Sequence, residues 1–202
     1  MNTNGFGVDV GGQRLTALVP AVARINHSCR PNAFTRYSAN TLTMEAVAYV
    51  DIEEGEEITI SYLPLNLLSE DRKAMIKRWK FTCTCPLCSS DVETATSDLN
   101  KSRIQGILNE LKVEKGRTQD SVAVLIKELE GILRAERLES QAGGFSSILA
   151  GMYFQMLDLD KAKHYAAKSV REYTHYAGYD SDKVEAAKSM VAFLDEVEYF
   201  NL

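Results

Sequence analysis

At 202 residues, with 45% apolar and 25% charged side chains, the chain can hold one or two compact domains and has an ordinary globular composition. Its formal charge of −5 lies wholly beyond Ser90: residues 1–90 hold nine Lys/Arg and nine Asp/Glu, the remainder fourteen against nineteen. This excludes the basic surface of a dedicated nucleic-acid binder, and no apolar run approaches the roughly 20 residues that cross a bilayer. Residues 1–5 lack the basic and apolar regions of a secretory signal.

From Asn4 to Val50 short apolar runs alternate with turn residues. Gly5, Gly7, Gly11 and Gly12 punctuate the opening, and Pro20 argues against a long helix over 15–22. Residues 33–38 suit a brief strand. Over 41–50, Leu42, Met44, Ala46, Ala48 and Val50 alternate with their neighbours, the period of a strand. A charged turn about Gly55 leads to a second alternation, Ile58, Ile60 and Tyr62, which Pro64 ends. These are small β elements, unlike the β-α-β alternation of a parallel nucleotide-binding sheet.

Ser69 is the expected N-cap of a helix with Glu70 and Asp71 in its first turn and Lys77, Arg78 and Lys80 in its last. Residues 91–97 are polar and read as a linker. Beyond them apolar residues recur at helical spacing: Ile104, Ile107, Leu108 and Leu111, then Val122, Leu125, Ile126, Leu129 and Leu133, then Phe145, Ile148, Leu149, Met152 and Met156. Two more segments, about 159–173 and 181–197, make some five helices. Leu149, Ala150, Tyr153, Ala162 and Ala166 match the small-residue spacing of a tetratricopeptide hairpin, without its Trp and Pro; an ordinary antiparallel bundle fits as well. Tyr165, Tyr173, Tyr176 and Tyr179 read as packing residues before a peptide groove, and His164 and His175 as surface or packing residues.

The chemistry gathers at Asn26-His27-Ser28-Cys29-Arg30-Pro31-Asn32. By itself this cluster is a well-bonded turn sooner than a site. The cysteine count gives it partners. Cys83-x-Cys85-x-x-Cys88 offers three thiolates, one short of the four that structural zinc prefers; Cys29 supplies the fourth and leaves none over. Two disulfides, or four unrelated thiols, are the alternatives. A single ion would tie residues 26–32 to a loop more than fifty residues later, and bring Phe81 beside Asn26 and His27.

These stretches, with Gly55-Glu56-Glu57-Ile58-Thr59-Ile60-Ser61-Tyr62 between them, resemble the C-terminal half of a SET domain with its post-SET zinc loop. The order and spacing look most like the SET-MYND branch and its fungal SET-domain relatives. The resemblance is close over residues 1–90 and loose over the tail. It implies an α+β fold: small sheets of a partial SET (β-clip) domain over 1–64, a post-SET helix and zinc loop over 65–90, and an all-α, tetratricopeptide-like tail over 91–202.

It also implies a protein-lysine methyltransferase that uses S-adenosylmethionine and zinc, takes the lysine side chain of a protein or peptide as substrate, and works in the nucleus or cytoplasm; from the charge balance and the short apolar runs, direct contact with nucleic acid or membrane is not expected. By motif position, Asn4, Asn26, His27, Tyr62 and Phe81 are the cofactor contacts, with Phe81 against the adenine and Tyr62 also in the lysine channel. Cys29, Cys83, Cys85 and Cys88 are the metal ligands. The Gly-x-Gly segment that wraps the methionine end of the cofactor, and the MYND finger, have no counterpart among the 202 residues. The expectation is therefore weak cofactor binding and little methylation by this chain alone. A non-catalytic, zinc-stabilised interaction module derived from a SET protein is the alternative.

Overall fold

The computed structural model describes residues 4–112 and 118–200, and divides the chain into two compact units. One unit takes the chain up to Val8, Arg14–Thr35 and Ala46–Leu138; the other takes Asp9–Gln13, Arg36–Glu45 and the chain from Glu139 onward. The division within the helical stretch thus falls between Leu138 and Glu139, and the first two long helices go with the β elements.

Among the described residues the strands come in three two-stranded sheets. β1 (Gly5–Val10) and β2 (Gln13–Leu18) are joined by Gly11-Gly12, both with positive φ. A two-residue hairpin of this kind needs that conformation at both positions, and glycine adopts it without a Cβ penalty. β4 (Ala33–Ser38) pairs with β5 (Thr43–Ala48), in agreement with the alternation read in the sequence. The third sheet is the one that matters for the site: β3 (Asn26–His27) runs parallel to β6 (Thr59–Ile60), with Asn26 opposite Thr59 and His27 opposite Ile60.

β6 is shorter than the alternation from Ile58 to Tyr62 suggests, because side chains take over its ladder. Thr59 N–H donates to Asn32 Oδ1 at 2.8 Å, and Tyr62 N–H to His27 Nδ1 at 3.0 Å. Asn32, only 5% exposed, also donates through Nδ2 to Glu56 Oε1 and to the Glu57 carbonyl, both at 2.9 Å. A buried amide left without such partners would be costly, so this one side chain fixes the 56–59 segment against the turn.

α1 (Ser69–Ile76) starts one residue earlier than an N-cap at Ser69 requires: Leu68 holds the cap position. The Ser69 hydroxyl and N–H go instead to the Asp98 carboxylate, at 2.5 and 2.9 Å. A 3-10 turn over Lys77–Trp79 ends at Lys80, whose left-handed backbone (φ 61°) turns the chain toward Phe81. α2 (Pro86–Ser89) is a single turn with Pro86 in the first position, where its missing N–H costs nothing.

The polar stretch read as a linker is helical: α3 spans Asp91–Lys112. Asp91 and Glu93 lie in its first turn, where carboxylates complement the helix dipole, and Ser90 Oγ accepts the Glu93 N–H at 3.2 Å. The same polarity that suggests a loop is thus a helix start. α4 (Gln119–Ala135) begins with a capping box between Thr118 and Ser121. Ile104, Ile107, Val122, Leu129 and Leu133 fill this unit's core together with Ile60, Leu63, Ile76 and Leu87.

In the other unit α5 (Ala142–Gln155), α6 (Leu159–Ala177) and α7 (Asp182–Phe200) follow one another. Leu149, Ala150, Tyr153, Ala162 and Ala166, the hairpin set read from the sequence, are all buried. Tyr153 and Tyr165 stack with ring centroids 5.5 Å apart. Tyr179 is exposed, as are His164 and His175. No described helix is long and apolar enough to cross a membrane.

Candidate active site and metal centre

Four sulfurs come together. Cys29, Cys83, Cys85 and Cys88 place their Sγ atoms within 4.8 Å of one another, with Cys29 3.5 Å from Cys88 and 3.9 Å from Cys83. All four are free thiols, so no disulfide competes for them. Four thiolates around zinc, each about 2.3 Å from the ion, lie ~3.8 Å apart, so the donor set fits such an ion in type and spacing.

Their protons are unequally held. A hydrogen bond from Cys29, which outweighs burial, holds the Cys85 thiol down to about 3; that same bond, with burial, pushes Cys29 up. Burial pushes Cys83 up to about 11. Four adjacent sulfurs cannot all ionise unless a cation offsets their charge, which is what a divalent metal does.

His27 connects this cluster to the neighbouring cleft. Its Nδ1 accepts the Tyr62 N–H, so in the neutral ring the proton sits on Nε2, 3.3 Å from Cys29 Sγ. Burial lowers the His27 pKa against the charge of Cys85, which favours that neutral form. The ring faces Tyr62 at 5.2 Å and Phe81 at 6.2 Å between centroids, and Tyr62 in turn lies 5.6 Å from Trp79.

The cleft itself encloses about 650 Å³, within the range of small-molecule sites. Asn26, His27, Tyr62 and Phe81 all line it, beside Cys83 and Cys85. Phe81 is 38% exposed and offers an open aromatic face. Asn26 Nδ2 donates to Glu57 Oε1 at 2.6 Å, which orients the amide. Tyr62 Oη donates to the Ile25 carbonyl at 2.6 Å; burial first, then the charge of Glu57, raises its pKa, so the phenol keeps its proton at neutral pH. Asn4 lies elsewhere: it is exposed, just before β1, and does not line the cleft.

Several contributors carry no signal of their own in the sequence. Glu57 and Asn32 act through groups more than twenty residues away, and Arg137 reaches the cleft from beyond α4, donating to the Pro31 carbonyl at 2.8 Å. Only the motif Gly55-Glu56-Glu57, read as a charged turn, hints at the first. Glu136, buried at the end of α4, accepts from Ser97 at 2.6 Å and Asn100 at 2.8 Å and lies 3.6 Å from Arg30. It ties the turn at residues 26–32 to two helices.

Comparison with known proteins adds the following. Residues 6–63 match the SET domain family model. The chain is 32% identical over 145 residues to human N-lysine methyltransferase SMYD2, covering 69% of this chain and 31% of that protein. It is 36% identical over 85 residues to human histone-lysine N-methyltransferase SMYD3, covering 40% and 19%. To the protein-lysine N-trimethyltransferase SMYD5 of Gallus gallus it is 36% identical over 99 residues, covering 46% and 23%. The matched part of the chain thus spans less than a third of each of these relatives.

Proposed function

From the match of residues 6–63 to the SET domain family model as premise, we propose that the chain acts as an S-adenosylmethionine-dependent protein-lysine N-methyltransferase whose four cysteines hold one zinc ion. The observation that carries this reading is the convergence of Asn26, His27, Tyr62 and Phe81 on one cleft beside the four-sulfur cluster.

S-adenosylmethionine, when bound, supplies a methyl group on a sulfonium that a neutral amine can take up. This chain's residues supply the rest. Phe81 offers its open face to the adenine, and Asn26, held by Glu57, presents a fixed amide to the cofactor. Asn4, which does not line the cleft, is assigned to the cofactor only by its place in the motif Asn4-Gly5-Phe6. A lysine ammonium becomes a nucleophile only after losing a proton, and desolvation beside the rings of Tyr62, His27 and Trp79 favours the neutral amine. Tyr62 spends its own proton on Ile25, so its oxygen is left to accept from the amine N–H and aim the lone pair. The cysteines, as a closed four-ligand set, act structurally, by holding Phe81 near His27. The substrate is a lysine side chain of a protein, and free thiols suit a reducing compartment, the nucleus or cytoplasm.

Two measurements on the metal-loaded chain test the reading. Calorimetric titration with S-adenosylmethionine should show the weak binding expected of this chain alone, weakened further by Phe81→Ala roughly tenfold or more, the usual effect of losing an aromatic stacking face on a base. Transfer of labelled methyl to lysine-containing peptides should fall about 100-fold in Tyr62→Phe, with cofactor binding retained. Binding unaffected by Phe81→Ala would sink the cofactor assignment. Absence of any Tyr62-dependent transfer would favour the interaction-module alternative.

A further inference from the structure

A second cavity, of about 370 Å³, is bordered by Cys29, Cys83 and Cys88 on one part of its wall and by Arg72, Ile76 and Lys77 on another. Arg72, on α1, is 3% exposed. Its Nη1 donates to the Leu67 carbonyl at 2.8 Å and lies 3.6 Å from Asp98 Oδ1. Its Nε and Nη2 are also out of solvent, and they have no hydrogen-bond partner. A guanidinium carries five donors in a rigid plane, so three of this one's five are buried with no acceptor. Native proteins rarely leave such donors without an acceptor.

The cysteine cluster poses the opposite problem. Four thiolates on one divalent ion leave two net negative charges in a half-buried place, where uncompensated charge is unfavourable. Thiolate sulfurs bound to a metal still accept hydrogen bonds, and outer partners of that kind orient and stabilise metal ligands. Glu136, the nearby buried carboxylate, is already engaged by Ser97, Asn100 and Arg30 and does not satisfy Arg72. A bound anion is a poorer answer for this cavity, because three of its wall residues are the cysteines themselves.

We propose that Arg72 is part of the metal centre: once the cysteines hold the ion, its Nε–H and Nη2–H edge, which has no acceptor here, donates to the thiolates bordering the shared cavity, and its charge offsets theirs. This rests on the reading that the four cysteines bind a metal. It makes α1 more than a spacer between the SET segment and the cysteine loop, since it delivers the compensating cation.

The test uses cobalt(II) as the probe, in the whole chain, with Arg72→Met and Arg72→Lys beside the unaltered protein. Chelator competition gives the affinity, and the thiolate-to-cobalt charge-transfer band reports the electron density on the sulfurs. The unaltered chain should take up one cobalt with a four-thiolate spectrum. Arg72→Met should bind about 10- to 100-fold more weakly, with a shifted charge-transfer band, and Arg72→Lys, which keeps the charge but not the fork, should lie between. If Arg72→Met does not fold, Arg72→Lys decides alone. Either folded variant matching the unaltered chain in both affinity and band position overturns the proposal. Failure of the unaltered chain to bind cobalt overturns the metal reading itself, and the proposal with it.

Discussion

His27 shows how much one side chain can settle. Accepting from Tyr62 at one nitrogen leaves the other to donate toward Cys29, so the ring is a spacer of fixed orientation between the aromatic wall of the cleft and the sulfur cluster. Asn32 is no freer, with both ends of its amide bonded to the 56–59 segment. Neither role can be read from the heptapeptide that contains them, because each depends on residues 24 to 35 positions away. The cysteines are different: four thiols with no remainder, in a spacing that leaves one ligand wanting, are a local arithmetic the sequence displays openly. Glu136 carries a pH prediction. Burial raises its pKa, but the bonds from Ser97 and Asn100 and the charges of Arg30 and Lys101 more than offset this, and the net shift is downward. A carboxyl with its folded pKa below its unfolded value contributes stability above about pH 4.3 and loses it as the pH falls through the folded pKa. Glu136→Gln should therefore cost about 2 kcal/mol in urea unfolding at pH 7, the range for weakened hydrogen bonds to a buried charge. The gap between the two proteins should narrow below about pH 4.

Elements are legible where their pattern is long. The five helices from α3 to α7 stand where the 3.6-residue periodicity puts them, because an amphipathic face must be buried whatever its neighbours are. Sequence and structure part at the ends. The 91–97 stretch begins a helix since its carboxylates and Ser90 satisfy a helix start, and Ser69 serves Asp98 in place of its own helix. β6 is cut to two residues by side-chain substitutes for its ladder. The hairpin of α5 and α6 rests on small residues. A Cβ placed on Gly143 would lie 2.7 to 2.9 Å from three ring atoms of Tyr173, and a whole ring packed in a hairpin has little room to retreat. Gly143→Ala gains helix propensity of up to ~1 kcal/mol, but overpacking typically costs about 1–3 kcal/mol. The net expectation is a destabilisation of about 1 kcal/mol, measured as a lower urea midpoint with unchanged slope.

At the scale of the whole molecule, the β elements are too small to hold one another. Three separate two-stranded sheets, one of them only two residues long on each side, offer little independent stability. Elemental analysis of freshly purified protein should give about one zinc per chain. Strong chelation should abolish amide-exchange protection over residues 25–35 and 80–90, while α5, α6 and α7 retain theirs. Equal loss in all three helices, or no loss near the cysteines, would contradict a metal that organises the first unit.

The distance in sequence between the ligands has a consequence for how the protein is made. Cys29 and Cys88 stand 59 positions apart, with Cys83 and Cys85 close to the second. At the usual pace of synthesis, about 5–20 residues per second, the first ligand waits roughly 3–12 s for the last to be added, and longer for it to leave the ribosome. For all but the last few residues of that interval the nascent chain carries a lone cysteine that can neither complete a four-sulfur set nor hold the turn around it. With the proposed zinc as its organiser, assembly of the cleft would be a late event, timed by translation of the segment after α1 and by the supply of metal at that moment.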